Sequence, residues 1–369
     1  MVVREEGDRF GRVRSPLRYG VEFDPTLGLS RSRLLSGSGL RERRLSHVVA
    51  LGGGTGLPVV LMGLRRHLPP ECRITAVVTA ADDGGSSGIL RKQYGVLPPG
   101  DIRNCLLALA RVAPEVTAAL QYRFDGPSRP KHPLGNLLLT ALDMVAADEV
   151  TAIRLAASLL GVTDAVLPAT TGRVHLVADL VDGRQVRGES EIPRSGAAIA
   201  RLRIDPPDVA PAPGVGEALQ TADMVVLGPG SLYTSILAPL VVPGVAAGVA
   251  AARAARIFVC NLMTELGETD GYGVAAHLEA LAAHGLSPEA LDYVIVNTRP
   301  VSPEVRARYP HGVEPVRVDL APFAGPPLII PADVLDPGPA IRHAPDKLGP
   351  ILCELAQGHL EPAEDETQA

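Results

Sequence analysis

Residues 47–56 read His47-Val48-Val49-Ala50-Leu51-Gly52-Gly53-Gly54-Thr55-Gly56 and run into Leu57-Pro58-Val59-Val60-Leu61-Met62. A β-branched apolar run, three consecutive glycines and a helix-like apolar run spell strand, turn, helix. Backbone without Cβ lets an anionic group reach the N–H groups of the turn and the positive end of the helix. Three glycines exceed what a change of direction needs. The turn therefore predicts phosphate binding, with Gly53, Gly54, Thr55 and Gly56 as contacts. It is not a Walker loop, because Leu57-Pro58 stand where Lys and Ser or Thr belong. The pattern G-x-G-x-x-G/A also fails, meeting Leu57 when started at Gly52 and Val59 when started at Gly54.

Outward from this turn, strand-like and helix-like stretches alternate. Strands are predicted over 73–78, 223–227, 256–260 and 293–297. Helices are predicted over 101–110, 134–145, 149–160 and 274–284. The alternation predicts an α/β fold, Rossmann-like, with a mainly parallel sheet and helices on both faces. One excursion, about 170–205, breaks the pattern. There the alternating 173–178, the turn Asp182-Gly183 and the return over 185–192 predict a β-hairpin insertion. The nonpolar stretch 236–252 contains Pro239, Pro243 and Gly244, so a loop and a buried helix are expected rather than a membrane span.

The chain has 369 residues and no Trp, and aromatics make up only 3%, so Val, Leu and Ala must fill the core. The formal net charge is −6; residues 1–46 hold ten Arg against six Asp or Glu, leaving the remainder near −10. A body that acidic argues against broad nucleic-acid binding. Residues 1–46 read as a flexible basic extension, 47–358 as a single domain, and 359–369 as an acidic tail. Four scattered cysteines, Cys72, Cys105, Cys260 and Cys353, form no C-x-x-C pair and suggest neither zinc nor a disulfide framework. With no signal peptide expected at the charged opening, a cytoplasmic location follows. A homo-oligomer is expected.

Ligands of doubly wound sheets lie at the carboxyl ends of strands, and the polar motifs fall there. After the second strand come Asp82-Asp83-Gly84-Gly85-Ser86-Ser87-Gly88. Asp82 and Asp83 suit a divalent cation or ribose hydroxyls, and Gly84, Ser86 and Ser87 suit phosphate oxygens. In Pro98-Pro99-Gly100-Asp101-Ile102-Arg103-Asn104, Asp101 is placed as an N-cap. Arg103 and Asn104, one turn in, suit a phosphate or a base edge. In His132-Pro133-Leu134-Gly135-Asn136, His132 is an acid–base candidate by type and Asn136 ranks above it as a ligand contact. Gly228-Pro229-Gly230-Ser231 repeats the first turn's logic, and two such helix N-termini suit a diphosphate. Asn261, with donor and acceptor, suits a uracil or guanine edge; Thr264, Glu268 and Asp270 suit sugar hydroxyls or cap their loop. Arg342 is the late cation best suited to a phosphate. Ser87, Ser231 and Ser235 have no identifiable base partner in the sequence, and nothing resembles a catalytic triad.

Taken in order, 52–57, 82–88, 98–106, 132–137, 228–236 and 261–272 resemble the bacterial gluconeogenesis-factor family, the YvcK-like proteins, related to the CofD 2-phospho-L-lactate transferases. The resemblance implies a Rossmann-like fold that binds a UDP-sugar such as UDP-N-acetylglucosamine. It also implies a role in cell shape and peptidoglycan synthesis on gluconeogenic carbon sources, with cell-envelope synthesis proteins as candidate partners. Family binding positions fall on Thr55 and Arg342. In the transferase branch a metal would fall on Asp82 or Asp83, with Mg2+ the candidate ion. Ala344-Pro345 stands where the family pattern has Asp after Arg-His. Two classes remain open: a UDP-sugar sensor acting through partners, and a Mg-dependent transferase moving a phosphoryl-linked group from a nucleoside-diphosphate-activated donor.

Overall fold

All six residues of strand β1 (His47–Gly52) are buried. A parallel strand covered on both faces reads as a near-continuous apolar run, and 48–51 is such a run. The computed structural model describes residues 45–123, 131–319 and 327–360. The expected basic extension therefore lies, up to residue 44, outside the described residues, as do 361–369 of the acidic tail. All described residues belong to one compact unit.

After β1 come helix α1 (Gly56–His67), strand β2 (Arg73–Val78), helices α2 (Gly85–Tyr94), α3 (Pro99–Leu109), α4 (Pro114–Gln121), α5 (Leu134–Val145) and α6 (Glu149–Leu159), then strand β3 (Ala165–Pro168). Strands β4 (His175–Leu180), β5 (Gln185–Arg187) and β6 (Ile199–Asp205) follow. Helix α7 (Val215–Thr221) leads back to strand β7 (Met224–Leu227). A π-helical segment, Leu232–Leu237, continues into α8 (Ala238–Leu240) and α9 (Val245–Ala251). The chain closes with β8 (Ala255–Val259), α10 (Val274–Ala283), β9 (Tyr293–Asn297), α11 (Pro303–Arg306), β10 (Leu328–Ala332) and α12 (Pro345–Leu360).

Seven strands form one sheet in the order β10-β9-β8-β7-β1-β2-β3, and every pairing in it is parallel. Helices flank the sheet, giving the expected α/β architecture. From β1 the chain builds outward through β2 and β3, then returns to the other side of β1 at β7. Such a reversal opens a crevice at the carboxyl ends of the two central strands. The core is filled by Val, Leu, Ile and Ala, with Phe258 the largest fully buried side chain.

Two expectations are corrected. The insertion is a three-stranded antiparallel sheet, β5-β4-β6, not a two-stranded hairpin. Its long edge is β6, which pairs with β4 from His175↔Asp205 to Leu180↔Ile199, while β5 is three residues long. Residues 84–88 do not form a phosphate-wrapping loop either. Helix α2 starts at Gly85 with Gly84 as its cap residue, so Ser86 and Ser87 sit in a first helical turn.

Among the described residues no single helix is long and apolar enough to cross a membrane. The pair Leu232–Leu240 and Val245–Ala251 passes by length and composition but is bent by 78°. Its Leu232, Ile236, Leu237, Leu240 and Val249 are buried in the protein core, as the reading of 236–252 anticipates.

Candidate functional site

The glycine turn lies against the turn that follows β7. A Cβ on Gly56 would stand 2.1 Å from the Pro229 carbonyl oxygen, so only glycine lets the two turns close. Gly54 has φ +60°, the left-handed region that glycine enters at no steric cost. Thr55 takes the cap position of α1 but makes no side-chain capping bond.

Beside these turns is a cavity of about 430 Å3, within the size range of small-molecule sites. Of the predicted contacts, Gly54, Thr55, Gly56, Gly230, Ser231, Asn261, Thr264 and Arg342 line it. Arg342 is the charged cation of the lining among the described residues, because burial lowers the neighbouring His343 to about 4 and leaves it neutral. Much of the remaining wall is apolar, with Leu262, Met263, Pro310 and Val313. Asn261 is 7% exposed. Its Oδ1 accepts from the Gly230 amide at 3.5 Å, while its Nδ2 has no hydrogen-bond partner among the described residues. A buried donor left without an acceptor is an arrangement that folded chains normally avoid. The Thr264 hydroxyl is already engaged, accepting from the Glu314 amide at 2.9 Å.

At the second helix N-terminus, expected to meet an external anion, a protein carboxylate stands instead. Glu268 occupies the position, accepting from the Tyr233 and Thr234 amides at 3.2 and 3.3 Å and from the Thr234 hydroxyl at 2.9 Å. Ser231 makes no capping bond there. Burial, then the neighbouring Glu265, pushes Glu268 up to about 7. Burial also raises Glu265, against a hydrogen bond with Ser231 that lowers it. Asp270 caps its own loop by accepting from the Gly267 amide at 2.7 Å. The first glycine turn and Arg342 are thus the groups of this cavity best suited to a phosphate.

The other predicted contacts gather in a second polar cluster reached through Asp101. Asp101 is not an N-cap: Pro98 holds that position of α3, and the Asp101 carboxylate instead accepts from the Gly54 amide at 2.7 Å. Gly53 packs behind the turn, where a Cβ would stand 2.9 Å from Asp101 Oδ2. Ser87 Oγ accepts from the Gly100 amide at 3.0 Å and docks α3 on α2. Arg103 donates to Asn136 Oδ1 at 2.5 Å and to Asn104 Oδ1 at 2.8 Å. Ser86 Oγ lies 2.8 Å from His132 Nδ1 and accepts from Asn136 Nδ2 at 3.0 Å. This serine–histidine contact is one the linear sequence does not reveal. Gly228 lies in the turn after β7, with φ +74°.

The two acids at the end of β2 have separate duties. Asp83 accepts from the Ser190 and Glu189 amides at 2.9 and 3.1 Å, fastening the three-stranded insertion to the main sheet. Asp82 Oδ1 accepts from the Gly84 amide at 2.9 Å. Burial, then the Asp82 and Asp101 carboxylates, push the Glu189 carboxyl well up. Glu189 carried no motif signal in the sequence, since it follows a short edge strand. Among the described residues no group of three or more His, Cys, Asp or Glu side chains is arranged to hold a metal ion. Asp83 is spent on amides, and the remaining acids of the cluster, Asp82, Asp101 and Glu189, do not make up such a group by themselves.

A family model described as "2-phospho-L-lactate transferase CofD" matches residues 48–326, from β1 through β9. The gluconeogenesis factor of Listeria innocua is 42% identical over 315 residues, covering 84% of this chain and 95% of that protein. That of Bacillus subtilis is 40% identical over 312 residues, covering 84% and 97%. A crystal structure of a UPF0052 family protein from Bacillus halodurans matches with a TM-score of 0.78 at 38% identity, covering 84% of this chain and 99% of that one. The chain belongs to the CofD family and is a relative of the gluconeogenesis factors.

Proposed function

We propose that the chain is a cytoplasmic UDP-sugar-binding protein, with UDP-N-acetylglucosamine as its ligand. The observation that carries this reading is the Asn261 Nδ2 donor, buried and without a partner, in a cavity at the switch point of the sheet. A pyrimidine carbonyl supplies the acceptor that this donor lacks. The Thr55–Gly56 start of α1, the Thr55 hydroxyl and Arg342 suit the diphosphate, and Glu265 suits a sugar hydroxyl. By analogy with relatives named gluconeogenesis factors, the ligand reports sugar-nucleotide supply during growth on gluconeogenic carbon. Cell shape and peptidoglycan synthesis are then controlled through cell-envelope synthesis proteins.

One observation favours a second reading, a transferase using Mg2+: the acidic cluster of Asp82, Asp101 and Glu189 borders the glycine turn. Phosphate oxygens of a donor would have to complete such a metal's coordination. A thermal-shift panel of UDP-sugars, GDP, NAD and ATP, with and without Mg2+, separates the two readings, because a bound ligand raises apparent stability by mass action. The sensor reading expects a metal-independent rise with UDP-sugars alone. A rise with GDP or NAD and none with UDP-sugars sinks it.

A further inference from the structure

A second cavity, of about 310 Å3, lies at the carboxyl ends of β8 and β9, at the lower end of the size range of small-molecule sites. Its walls are mostly aliphatic, with Val274, Val296, Val301, Pro315 and Val316. Among the described residues of its lining, Arg299 is the one charged side chain and no carboxylate is present. Arg299 pairs with Asp333 at 3.3 Å, but Lys347 holds the same Asp333 oxygen at 2.8 Å. Two cations share one carboxylate, which leaves Arg299 incompletely neutralised. The partition between this cavity and the first is thin, since Asn261 and Leu262 line both. Segment 262–264 is zipped to 314–316: the Val316 amide donates to the Leu262 carbonyl at 3.1 Å, and the Thr264 amide to the Glu314 carbonyl at 2.7 Å. Met263 and Thr264 line the first cavity, Pro315 and Val316 the second.

We propose that the second cavity binds a small branched aliphatic carboxylate, and that its occupancy opposes ligand binding in the first. The planar guanidinium of Arg299 matches a carboxylate in geometry and charge, and a branched chain covers the valines and prolines with apolar surface of its own. A phosphate or a free sugar suits this cavity less, because a doubly charged or polyhydroxylated group meets one cation on mostly aliphatic walls. The opposition follows from the shared partition. Protein interiors are close-packed and transmit strain, so an occupant pressing on Leu262 and Val316 moves the partition toward the first cavity, and the coupling is reciprocal. The coupling rests on the first cavity holding a UDP-sugar; the carboxylate site does not.

Saturation-transfer NMR on the full chain with millimolar isovalerate reads the site. The expected result is transfer to the isovalerate methyl groups, with about fivefold weaker transfer to the neutral isovaleramide. Transfer should be lost in Arg299→Gln, a change at an exposed residue. No transfer to isovalerate overturns the proposal, and so does equal transfer to the amide, or transfer that persists in folded Arg299→Gln. Should that variant fail to fold, the amide comparison on the wild type decides. Calorimetry of UDP-N-acetylglucosamine then reads the coupling: isovalerate should weaken its binding about threefold in the wild type and leave it unchanged in Arg299→Gln. Unchanged or tightened affinity in the wild type overturns the coupling. A chain that takes isovalerate and no UDP-sugar overturns the sensor reading and the coupling with it, and upholds the carboxylate site.

Discussion

The Asp101 carboxylate accepts a hydrogen bond from the Gly54 amide at 2.7 Å, so the last of the three consecutive glycines already faces a protein carboxylate. Burial raises Asp101 from 3.8 to about 6, with Asp82 adding to the rise and the Gly54 bond opposing it. Below pH 3.8 both folded and unfolded chains carry the proton, and the group has no effect on stability. Between pH 3.8 and about 6 the unfolded chain ionises first. Stability then falls, by an amount on the order of 3 kcal/mol, and stays lower above pH 6. Asp101→Asn keeps an acceptor for Gly54 and removes the titration. Its melting temperature should exceed that of the wild type above pH 6. A lower value at pH 8 would count against this electrostatic reading.

The same charges set a pH dependence of binding. Asp101 ionises near pH 6 and Glu268 near pH 7, each adding a negative charge beside the anion site. Both phosphates of a UDP-sugar are ionised throughout this range. Affinity should therefore weaken several-fold between pH 5.5 and pH 8, and less steeply in Asp101→Asn. A flat profile in calorimetry would separate these carboxyls from the ligand.

Asp83 is predicted to act on stability alone. Asp83→Ala removes the acceptor for the Ser190 and Glu189 amides and the carboxylate that most favours charge on the partly buried Arg91. The loss should be about 2–4 kcal/mol in urea unfolding, with UDP-sugar affinity unchanged below the transition. An affinity loss with wild-type stability would contradict that assignment.

The inner strands were legible because they are buried on both faces: 48–51, 224–227 and 294–296 stand out as apolar runs at nearly their observed limits, whereas the edge strands β3 and β10 are only partly buried and were not predicted. The insertion was less legible. Ile199, Leu202 and Ile204 are buried in β6, but the arginines between them mask the strand, and β5 is too short to set a pattern. The cavity half of the site was readable from glycine turns and from Asn261, because these residues sit where strands end. Protein carboxylates take over two of the expected anion positions, Asp101 on Gly54 and Glu268 on Thr234. Those contacts join residues 47 and 34 positions apart, and no local spacing announces them. The walls from Tyr309, Pro310 and Val313 come from an irregular segment with no period to read.

Metal dependence divides the sensor from the transferase. UDP-sugar affinity should stay within a few-fold in EDTA, and Asp82→Asn should bind as the wild type does, since Asp82 bonds its own turn through Gly84. Binding abolished by chelation, or turnover of an activated donor that Asp82→Asn eliminates, would favour the transferase, because charge developing on a transferred group needs a cation.

Calorimetry of UDP-N-acetylglucosamine at pH 7 against the wild type, Asn261→Asp and Arg342→Ala tests the cavity most directly. The wild type should bind one equivalent. Asn261→Asp should lose at least about tenfold, because it replaces the Nδ2 donor with a carboxylate, and Arg342→Ala about 1.5–3 kcal/mol, as for a charge-assisted bond. Thr55→Ala should weaken binding without unfolding the chain. No heat with any UDP-sugar while GDP or NAD binds, or full affinity in Asn261→Asp, would contradict the assignment of this cavity.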